Sequence, residues 1–191
     1  MQKLREFFKQ SGELSEDNLD LLLSSCAPKT LPKGQVLLQT NDWVNSIYFI
    51  ESGFLHYYTN MQDGTRVTLK VVSPNYFWTM LDEFFNQKQT LDTCVALTDV
   101  HYCEIKRQDY NQLKSINTTI ANFMHSITEQ ILSNKVKEEN DKSKMSVEEK
   151  YLDLLEHNPQ MVQVVPVGIL ASYIGTSRET LHRIRRKLSS V

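Results

Sequence analysis

The sequence predicts an α+β protein with an antiparallel β-roll, a long helix and a C-terminal helix-turn-helix. Three observations support this fold class: short runs with a two-residue hydrophobic period between residues 31 and 106, apolar residues at every third or fourth position from 108 to about 140, and two short helical segments joined through a glycine. Their order divides the 191 residues into three predicted units. These are a β-roll unit with N-terminal helices (1–107), a long helix with a hinge (108–144) and a helix-turn-helix unit (145–191).

The β region consists of runs rich in β-branched and aromatic residues, at 35–39, 46–50, 54–59, 66–72 and 93–97. Turn residues separate these runs, and Asp63-Gly64 is the strongest hairpin signal among them. In the fourth run Val67, Leu69 and Val71 alternate with polar residues. This alternation predicts that the three apolar side chains share a buried face.

The long helix is predicted to run without a break from 108 to the polar run 137–144, over about 45 Å. A single narrow apolar stripe on such a helix needs a partner, which is either the chain's own β-roll, a second copy of the helix, or both. The segment 138–144 is predicted to be the hinge between the units. The residues predicted to pair two copies are Ile116, Ile120, Phe123, Ile127 and Ile131.

Two further helical stretches flank these parts. Helical spacing predicts helices within residues 1–30, with Pro28 and Pro32 ending that stretch. Ser146 and Glu149 form a predicted capping box at the start of another helix, which ends at 158–159. The side chains that this helix is predicted to bury are Val147, Tyr151, Leu154 and Leu155.

The C-terminal unit contains two short helices in direct succession. Residues 165–175 predict the first helix, with Pro166 in its first turn and Gly175 at its left-handed exit. Thr176 follows directly, and Glu179 three residues later completes a second predicted capping box. Two short helices joined by a tight turn that contains glycine are typical of the helix-turn-helix motif.

The second helix of this motif has an apolar face and a basic face. Leu181, Ile184 and Leu188 fall together on the face that is predicted to be buried. Residues 176–191 contain five basic residues and one acidic residue, whereas the whole chain has a net charge of -2. Such a local cationic patch suits contact with phosphates, whose attraction is screened within about 8 Å. An ordinary charged surface helix is the alternative.

The basic face predicts contact with double-stranded DNA. In a major groove arginine can donate two hydrogen bonds to guanine, and glutamate can accept one from cytosine. Residues near the start of a recognition helix reach the base edges, and later ones more often meet phosphates. Base contacts are predicted for Arg178, Glu179 and Arg183, and phosphate contacts mainly for Arg185, Arg186 and Lys187. Thr176, Ser177 and His182 complete the predicted DNA-binding set.

Residues 169–184 resemble the DNA-binding motif of the Crp/Fnr family of transcription regulators, relatives of the cyclic AMP receptor protein. In that family an arginine-glutamate pair, and the arginine four residues after the glutamate, read the bases. These residues match Arg178, Glu179 and Arg183. Residues 41–53 are similar to the family's β-roll signature.

The resemblance extends over nearly the whole chain, and Gly34 matches an early turn glycine of the β-roll. It implies a sensor domain with a β-roll of the cyclic-nucleotide-binding type and a winged-helix-like C-terminal unit. It also implies a homodimer whose recognition helices meet successive major grooves of near-palindromic double-stranded DNA. RNA polymerase is a further candidate partner. Because the chain ends a few residues after the recognition helix, the C-terminal wing is expected to be absent.

The segment that would hold a cyclic phosphate departs from the family pattern. Cyclic-nucleotide binders have Phe-Gly-Glu and then an arginine with serine or threonine, whereas Trp78 and Thr79 replace the glycine and the glutamate here. Residues 87–93 contain no arginine, and an indole closes the approach to backbone amides that glycine permits. The sequence therefore argues against binding of cyclic AMP in the usual manner and leaves the effector open. The candidate ligand-binding residues are Phe77, Trp78, Thr79, Asp82, Glu83 and Thr93.

The sequence predicts no cofactor and no metal site. Cys26, Cys94 and Cys103 lie too far apart in sequence for the spacing of an iron-sulfur cluster. His56 and His101 are single histidines on predicted strands, which favours ordinary strand residues over haem ligands. Scattered cysteines are typical of a reducing, cytoplasmic compartment, and no apolar stretch is long enough to span a membrane.

Two other functional classes are alternatives to DNA binding. The sequence has no Gly-x-Ser-x-Gly elbow, Walker loop or His-Glu-x-x-His motif, so it predicts a protein that is not an enzyme. The second class is a module that binds a cyclic nucleotide or another small molecule and acts through protein contacts rather than through DNA. A steep loss of DNA affinity with rising salt would separate this class from a DNA-binding regulator.

Overall fold

The computed structural model describes residues 2–10 and 14–189. The predicted units also include residues 1, 11–13, 190 and 191, which lie outside the described residues. The strands are β1 (Ala27–Leu31), β2 (Val36–Leu38), β3 (Ser46–Ser52), β4 (Leu55–Asn60), β5 (Arg66–Val72), β6 (Tyr76–Trp78), β7 (Thr93–Ala96) and β8 (Val100–Lys106). The helices are α1 (Gln2–Gln10), α2 (Glu16–Ser24), α3 (Leu81–Asn86), α4 (Arg107–Ile116), α5 (Thr118–Lys144), α6 (Val147–His157), α7 (Pro159–Val164), α8 (Val167–Tyr173) and α9 (Arg178–Ser189).

The strands form two antiparallel sheets that face each other, in the orders β1-β8-β3-β6 and β2-β7-β4-β5. Each of the five predicted runs overlaps a strand, and β5 has the predicted bounds. The predicted hairpin at Asp63-Gly64 joins β4 to β5, and Gly64 has a φ of +83°. The α+β class and the antiparallel β-roll are therefore confirmed.

The strands β1, β6 and β8 lie outside the five predicted runs. Pro28, which indicated the end of a helical stretch, is inside β1, and it is tolerated there because β1 is an edge strand. The central strand β8 does not show a polar-apolar alternation, because both faces of its sheet are covered. Tyr102 packs against Tyr48 inside the roll, while the outer face of the neighbouring strand β3 meets Phe7 of α1 through Phe49.

The predicted burial pattern of β5 is wrong at two of its three positions. Val67 and Leu69 are 38% and 41% exposed, whereas Thr68 between them is only 8% exposed. One cause is a shift in register between Tyr57 and Tyr58 on the partner strand β4. The other cause is that α8 covers the face of β5 on which Thr68 lies, as described below.

The long helix is broken, contrary to the prediction. Asn117 has an extended backbone (φ -157°, ψ 165°), and its side chain caps α5 by accepting a hydrogen bond of 2.9 Å from the amide of Ile120. The predicted hinge 138–144 is helical, and α5 continues through it to Lys144. The change of direction instead falls at Met145, whose backbone is extended.

The apolar stripe predicted to pair two copies is mostly not exposed. The four residues on α5 are buried against the chain's own β-roll and N-terminal helices, since Phe123 packs on Phe8 of α1. Residues that are already buried have little surface left for a second copy, so the assignment of these residues to dimerisation is corrected. The buried residues are Ile120, Phe123, Ile127 and Ile131, each 5% exposed or less, whereas Ile116 at the end of α4 is 45% exposed.

The start of the C-terminal unit follows the prediction closely. The Ser146–Glu149 capping box is present in both directions, and α6 ends before Asn158. Tyr151 and Leu154 are buried as predicted, but Leu155 is 38% exposed. Within the described residues, no helix has both the length and the apolar character that a membrane span requires.

Candidate DNA-binding surface and ligand cleft

The helices α8 and α9 form a helix-turn-helix. Gly175 between them has a φ of +78°, the left-handed conformation predicted for this turn. The amide of Thr176 donates a hydrogen bond of 2.9 Å back to the carbonyl of Ala171, which closes the turn. Ala171 is 1% exposed, and a small side chain there lets the two helices approach each other closely.

The N-cap of α9 is Ser177 rather than the predicted Thr176. The Ser177 hydroxyl accepts a hydrogen bond of 3.2 Å from the amide of Thr180, because α9 begins one residue later than the predicted capping box requires. Glu179 is hydrogen-bonded by its own backbone amide and by Ser177, and these contacts lower its pKa. It is therefore a carboxylate at neutral pH and can only accept hydrogen bonds.

The two faces of α9 have the predicted characters. Leu181 and Ile184 are buried in the core of the C-terminal unit, and Leu188 packs against the same core. Thr176, in the turn, is half-buried. The predicted DNA-binding residues that are exposed to solvent are Ser177, Arg178, Glu179, His182, Arg183, Arg186 and Lys187.

Two of the residues predicted to meet phosphates also contact α6. The guanidinium of Arg185 lies 5.5 Å from the ring centre of Tyr151, and the Arg185 side chain is half-buried. Lys187 Nζ lies 2.8 and 2.9 Å from the two carboxylate oxygens of Glu148. Sequence spacing did not reveal these contacts, because α6 lies about 35 residues earlier in the chain.

A cleft of about 340 Å³ lies between the β-roll and α5. The predicted ligand residues Trp78, Thr79, Asp82 and Glu83 line it. Phe77 does not, because its ring packs on the other face of the sheet against Phe7 and Phe8 of α1. Thr93 does not line the cleft either, since it lies within β7 opposite Tyr58 of β4 and is buried there.

Two walls of the cleft are joined by an ion pair. Lys70 Nζ of β5 lies 2.6 and 2.7 Å from the carboxylate oxygens of Glu138 on α5. The same ammonium lies 4.6 Å from the ring centre of Tyr76, also in the cleft wall. Burial, and then the nearby Glu138 carboxylate, raise the pKa of Tyr76 to about 12, so its hydroxyl is neutral.

The comparisons with known proteins agree with this architecture. Residues 28–117 match the profile of the cyclic nucleotide-binding domain. This part of the chain has the cyclic nucleotide-binding fold. No curated protein matches the sequence.

Solved structures extend the similarity beyond the cyclic nucleotide-binding fold to nearly the whole chain. The c-di-GMP responsive global regulator CLP from Xanthomonas campestris aligns with a TM-score of 0.70 and 19% identity over 92% of both chains. FixK2 from Bradyrhizobium japonicum aligns with a TM-score of 0.71 and 16% identity, over 86% of this chain and 85% of that chain. The catabolite activator protein of Thermus thermophilus aligns with a TM-score of 0.54 and 21% identity, over 93% of this chain and 84% of that chain. At these identities the similarity shows the fold.

Trp78 and Thr79 lie in the segment that resembles the family's phosphate-binding segment, called the cassette here, and both are held by contacts within the chain. The Trp78 indole is buried between Tyr48, at 6.0 Å between ring centres, and Tyr57, at 5.5 Å. The Thr79 hydroxyl donates a hydrogen bond of 2.9 Å to the carbonyl of Ser46. Both side chains line the cleft and are held in place by contacts within the chain.

The C-terminal unit is docked on the cyclic nucleotide-binding fold. The amide of Thr68 on β5 donates a hydrogen bond of 3.0 Å to the hydroxyl of Ser172 on α8. Phe54 and Val71 of the β-roll belong to the same buried cluster as the core of the helix-turn-helix. No local sequence pattern predicts this contact, because Thr68 and Ser172 are 104 residues apart.

A buried histidine lies at this junction. His56 Nε2 is 3.0 Å from the hydroxyl of Thr68, and the His56 side chain is 5% exposed. Burial, and then the charge of Arg66, lower the pKa of His56 to about 4. The imidazole is therefore neutral at neutral pH, and its role here is that of a structural hydrogen-bonding group.

Proposed function

We propose that the chain is a cytoplasmic DNA-binding transcription regulator of the Crp/Fnr type that binds double-stranded DNA as a homodimer. The exposed face of α9 carries this proposal. Arg178, Glu179 and Arg183 lie there, at the positions that read bases in the family that the motif resembles. The similarity in fold to CLP, FixK2 and the catabolite activator protein supports the same conclusion.

The pairing of two copies is proposed to use a different face of α5 from the buried stripe. Leu132 and Val136 are 52% and 48% exposed on this helix. They are one helical turn apart and therefore lie on the same side, where a second copy of α5 can cover them.

We propose that the β-roll domain responds to an effector other than cyclic AMP bound in the usual manner. Trp78 and Thr79 replace the glycine and the glutamate of the cassette, and both are engaged in contacts within the chain. The lining of the cleft contains no arginine among the described residues. A cyclic phosphate would thus lack the partners that hold it in the family.

The test is selection of binding sites from a library of random DNA duplexes, followed by affinity measurements at two salt concentrations. We expect enrichment of a near-palindromic sequence and a steep loss of affinity with rising salt. Arg183→Ala should cost about 1–3 kcal/mol and relax the preference at one base position in each half-site.

Lys9→Ala is the matched control, because Lys9 is an exposed base on α1 that pairs with Glu16. It removes the same charge as Arg183→Ala and should leave both affinity and base preference unchanged. Weak binding without sequence preference would contradict the proposal and favour a module that acts through protein contacts. An equal loss on every sequence would assign Arg183 to phosphate contact.

A further inference from the structure

We propose that the cleft between the β-roll and α5 binds an organic amine cation with an aromatic or alkyl body, rather than a phosphate-bearing nucleotide. This inference rests on the proposed function, because it names the chemical class of the sensor's effector. It is carried by the charges and aromatic rings of the cleft lining, and by its size.

The lining of the cleft contains more acidic than basic residues. Four carboxylates and two ammonium groups line it, so its formal charge is negative. An anionic ligand would be repelled by this field, and an amine would be attracted. The charged lining residues are Lys70, Asp82, Glu83, Lys135, Glu138 and Glu139.

The ion pairs within the chain leave this balance negative. Lys70 is paired with Glu138, and Asp82 is paired at 2.9 Å with Lys88, which lies outside the lining. Among the described residues, the charged lining groups without an ion pair are then Glu83, Glu139 and Lys135. Binding a phosphate through Lys70 would require that Lys70 leave Glu138, and the other lining ammonium, Lys135, is outnumbered by the carboxylates of Glu83 and Glu139.

Three aromatic rings provide the second feature that favours a cation. Tyr57, Tyr76 and Trp78 line the cleft. The faces of such rings attract ammonium groups. The half-buried Tyr57 and Tyr76 are the more accessible of the three, because Trp78 is 4% exposed and packs against Tyr48 and Tyr57. The Lys70 ammonium already lies on the face of Tyr76 and between the oxygens of a carboxylate, so the cleft binds one cation that belongs to the chain itself.

The size of the cleft suits a small ligand. Its volume of about 340 Å³ lies at the lower end of the range for small-molecule sites. Apolar side chains complete the lining and can cover the body of the ligand. These side chains are Leu69, Met80, Leu81 and Ile131.

The experiment compares pairs of probes that share a ring and differ in charge. Tryptamine and indole-3-acetate form one pair, tyramine and 4-hydroxyphenylacetate form another, and cyclic AMP is the phosphate probe. Isothermal titration with the full chain should give dissociation constants for the amines that are at least about tenfold lower than those for the matched carboxylates. Cyclic AMP should bind no better than the carboxylates.

Glu83→Gln and Glu139→Gln should each weaken amine binding several-fold and should reduce the difference between amine and carboxylate. Glu156→Gln is the control, because Glu156 is an exposed acid on α6 outside the cleft lining. The proposal is overturned if no amine binds at up to about 1 mM, or if a carboxylate or cyclic AMP binds at least as tightly as its amine counterpart.

DNA binding is measured in the same preparations without any probe. DNA binding without amine binding overturns only this inference. Amine binding without sequence-specific DNA binding overturns the proposed function and leaves a small-molecule binding module.

Discussion

The exposed face of α9 and the cleft in the β-roll differ in how their charged groups are paired. On α9, Arg178 and Arg183 point to solvent, and no ion pair involves them among the described residues. In the cleft, by contrast, Lys70 is held by Glu138, and the Tyr57 hydroxyl donates a hydrogen bond of 2.6 Å to Asp92. A surface for a large polyanion can leave its charges solvated until the partner arrives. A cleft for a small ligand must satisfy its own buried charges while it is empty.

The largest expected effect is on the unit that presents α9. Leu181 is fully buried in the core of the C-terminal unit, so Leu181→Ala should lower the free energy of unfolding by about 2–5 kcal/mol. DNA binding should be lost with the position of α9, while probe binding in the cleft should change much less. Urea unfolding measures the loss of stability, and the DNA and probe binding assays measure the two effects on binding.

Leu188→Ala is the control for Leu181→Ala, because Leu188 is only half-buried near the end of the same helix. Leu188→Ala should lower the free energy of unfolding clearly less than Leu181→Ala does. If Leu181→Ala abolished probe binding as completely as DNA binding, the two regions would not be separable in the way that their contacts suggest.

The sequence predicted the C-terminal region better than the cleft. The capping box at Ser146, the turn at Gly175 and the faces of α9 depend on residues within four positions of each other, where local spacing is informative. The break at Asn117 was missed because the apolar period continues across it, and only the capping side chain marks it. The docking of α8 on β5 brings together distant segments, for which one sequence has no local signal.

The next effect concerns the junction between the two regions and depends on pH. Since the folded pKa of His56 is about 4, below the unfolded value of about 6.5, the folded state takes up this proton less readily. The associated stability is fully present above pH of about 6.5 and is lost as the pH falls toward about 4, by up to about 3 kcal/mol. His56→Gln should therefore flatten the dependence of unfolding free energy on pH in this window.

Arg66, Thr68 and Tyr58 face the His56 ring, and Arg66 is the cation among them. The control is His101→Gln, because His101 is exposed and its ring lies 3.2 Å from the Thr30 hydroxyl on the surface of the roll. Comparing slopes rather than absolute stabilities separates the titration from any loss of packing. An unchanged slope for His56→Gln would show that His56 does not titrate differently in the folded and unfolded chain.

The smallest expected effect concerns the Lys70–Glu138 ion pair that joins two walls of the cleft. Glu138→Gln leaves the Lys70 ammonium, whose side chain is 15% exposed, without its carboxylate. The free energy of unfolding should fall by about 1–2 kcal/mol. This is less than for a fully buried pair, because Glu138 is 36% exposed and water reaches it. Chemical unfolding of the single variants and of Lys70→Met combined with Glu138→Gln gives the coupling between them.

If the cost comes from an unpaired ammonium, Lys70→Met should recover part of the stability that Glu138→Gln removes. Glu156→Gln on α6 again serves as the exposed control. Glu138 also borders a second cavity of about 110 Å³ together with Tyr173 at the end of α8, so it lies where the cleft meets the helix-turn-helix. Loss of the pair should therefore also change DNA affinity, and an unchanged affinity would mean that the cleft and α9 are not coupled through this residue.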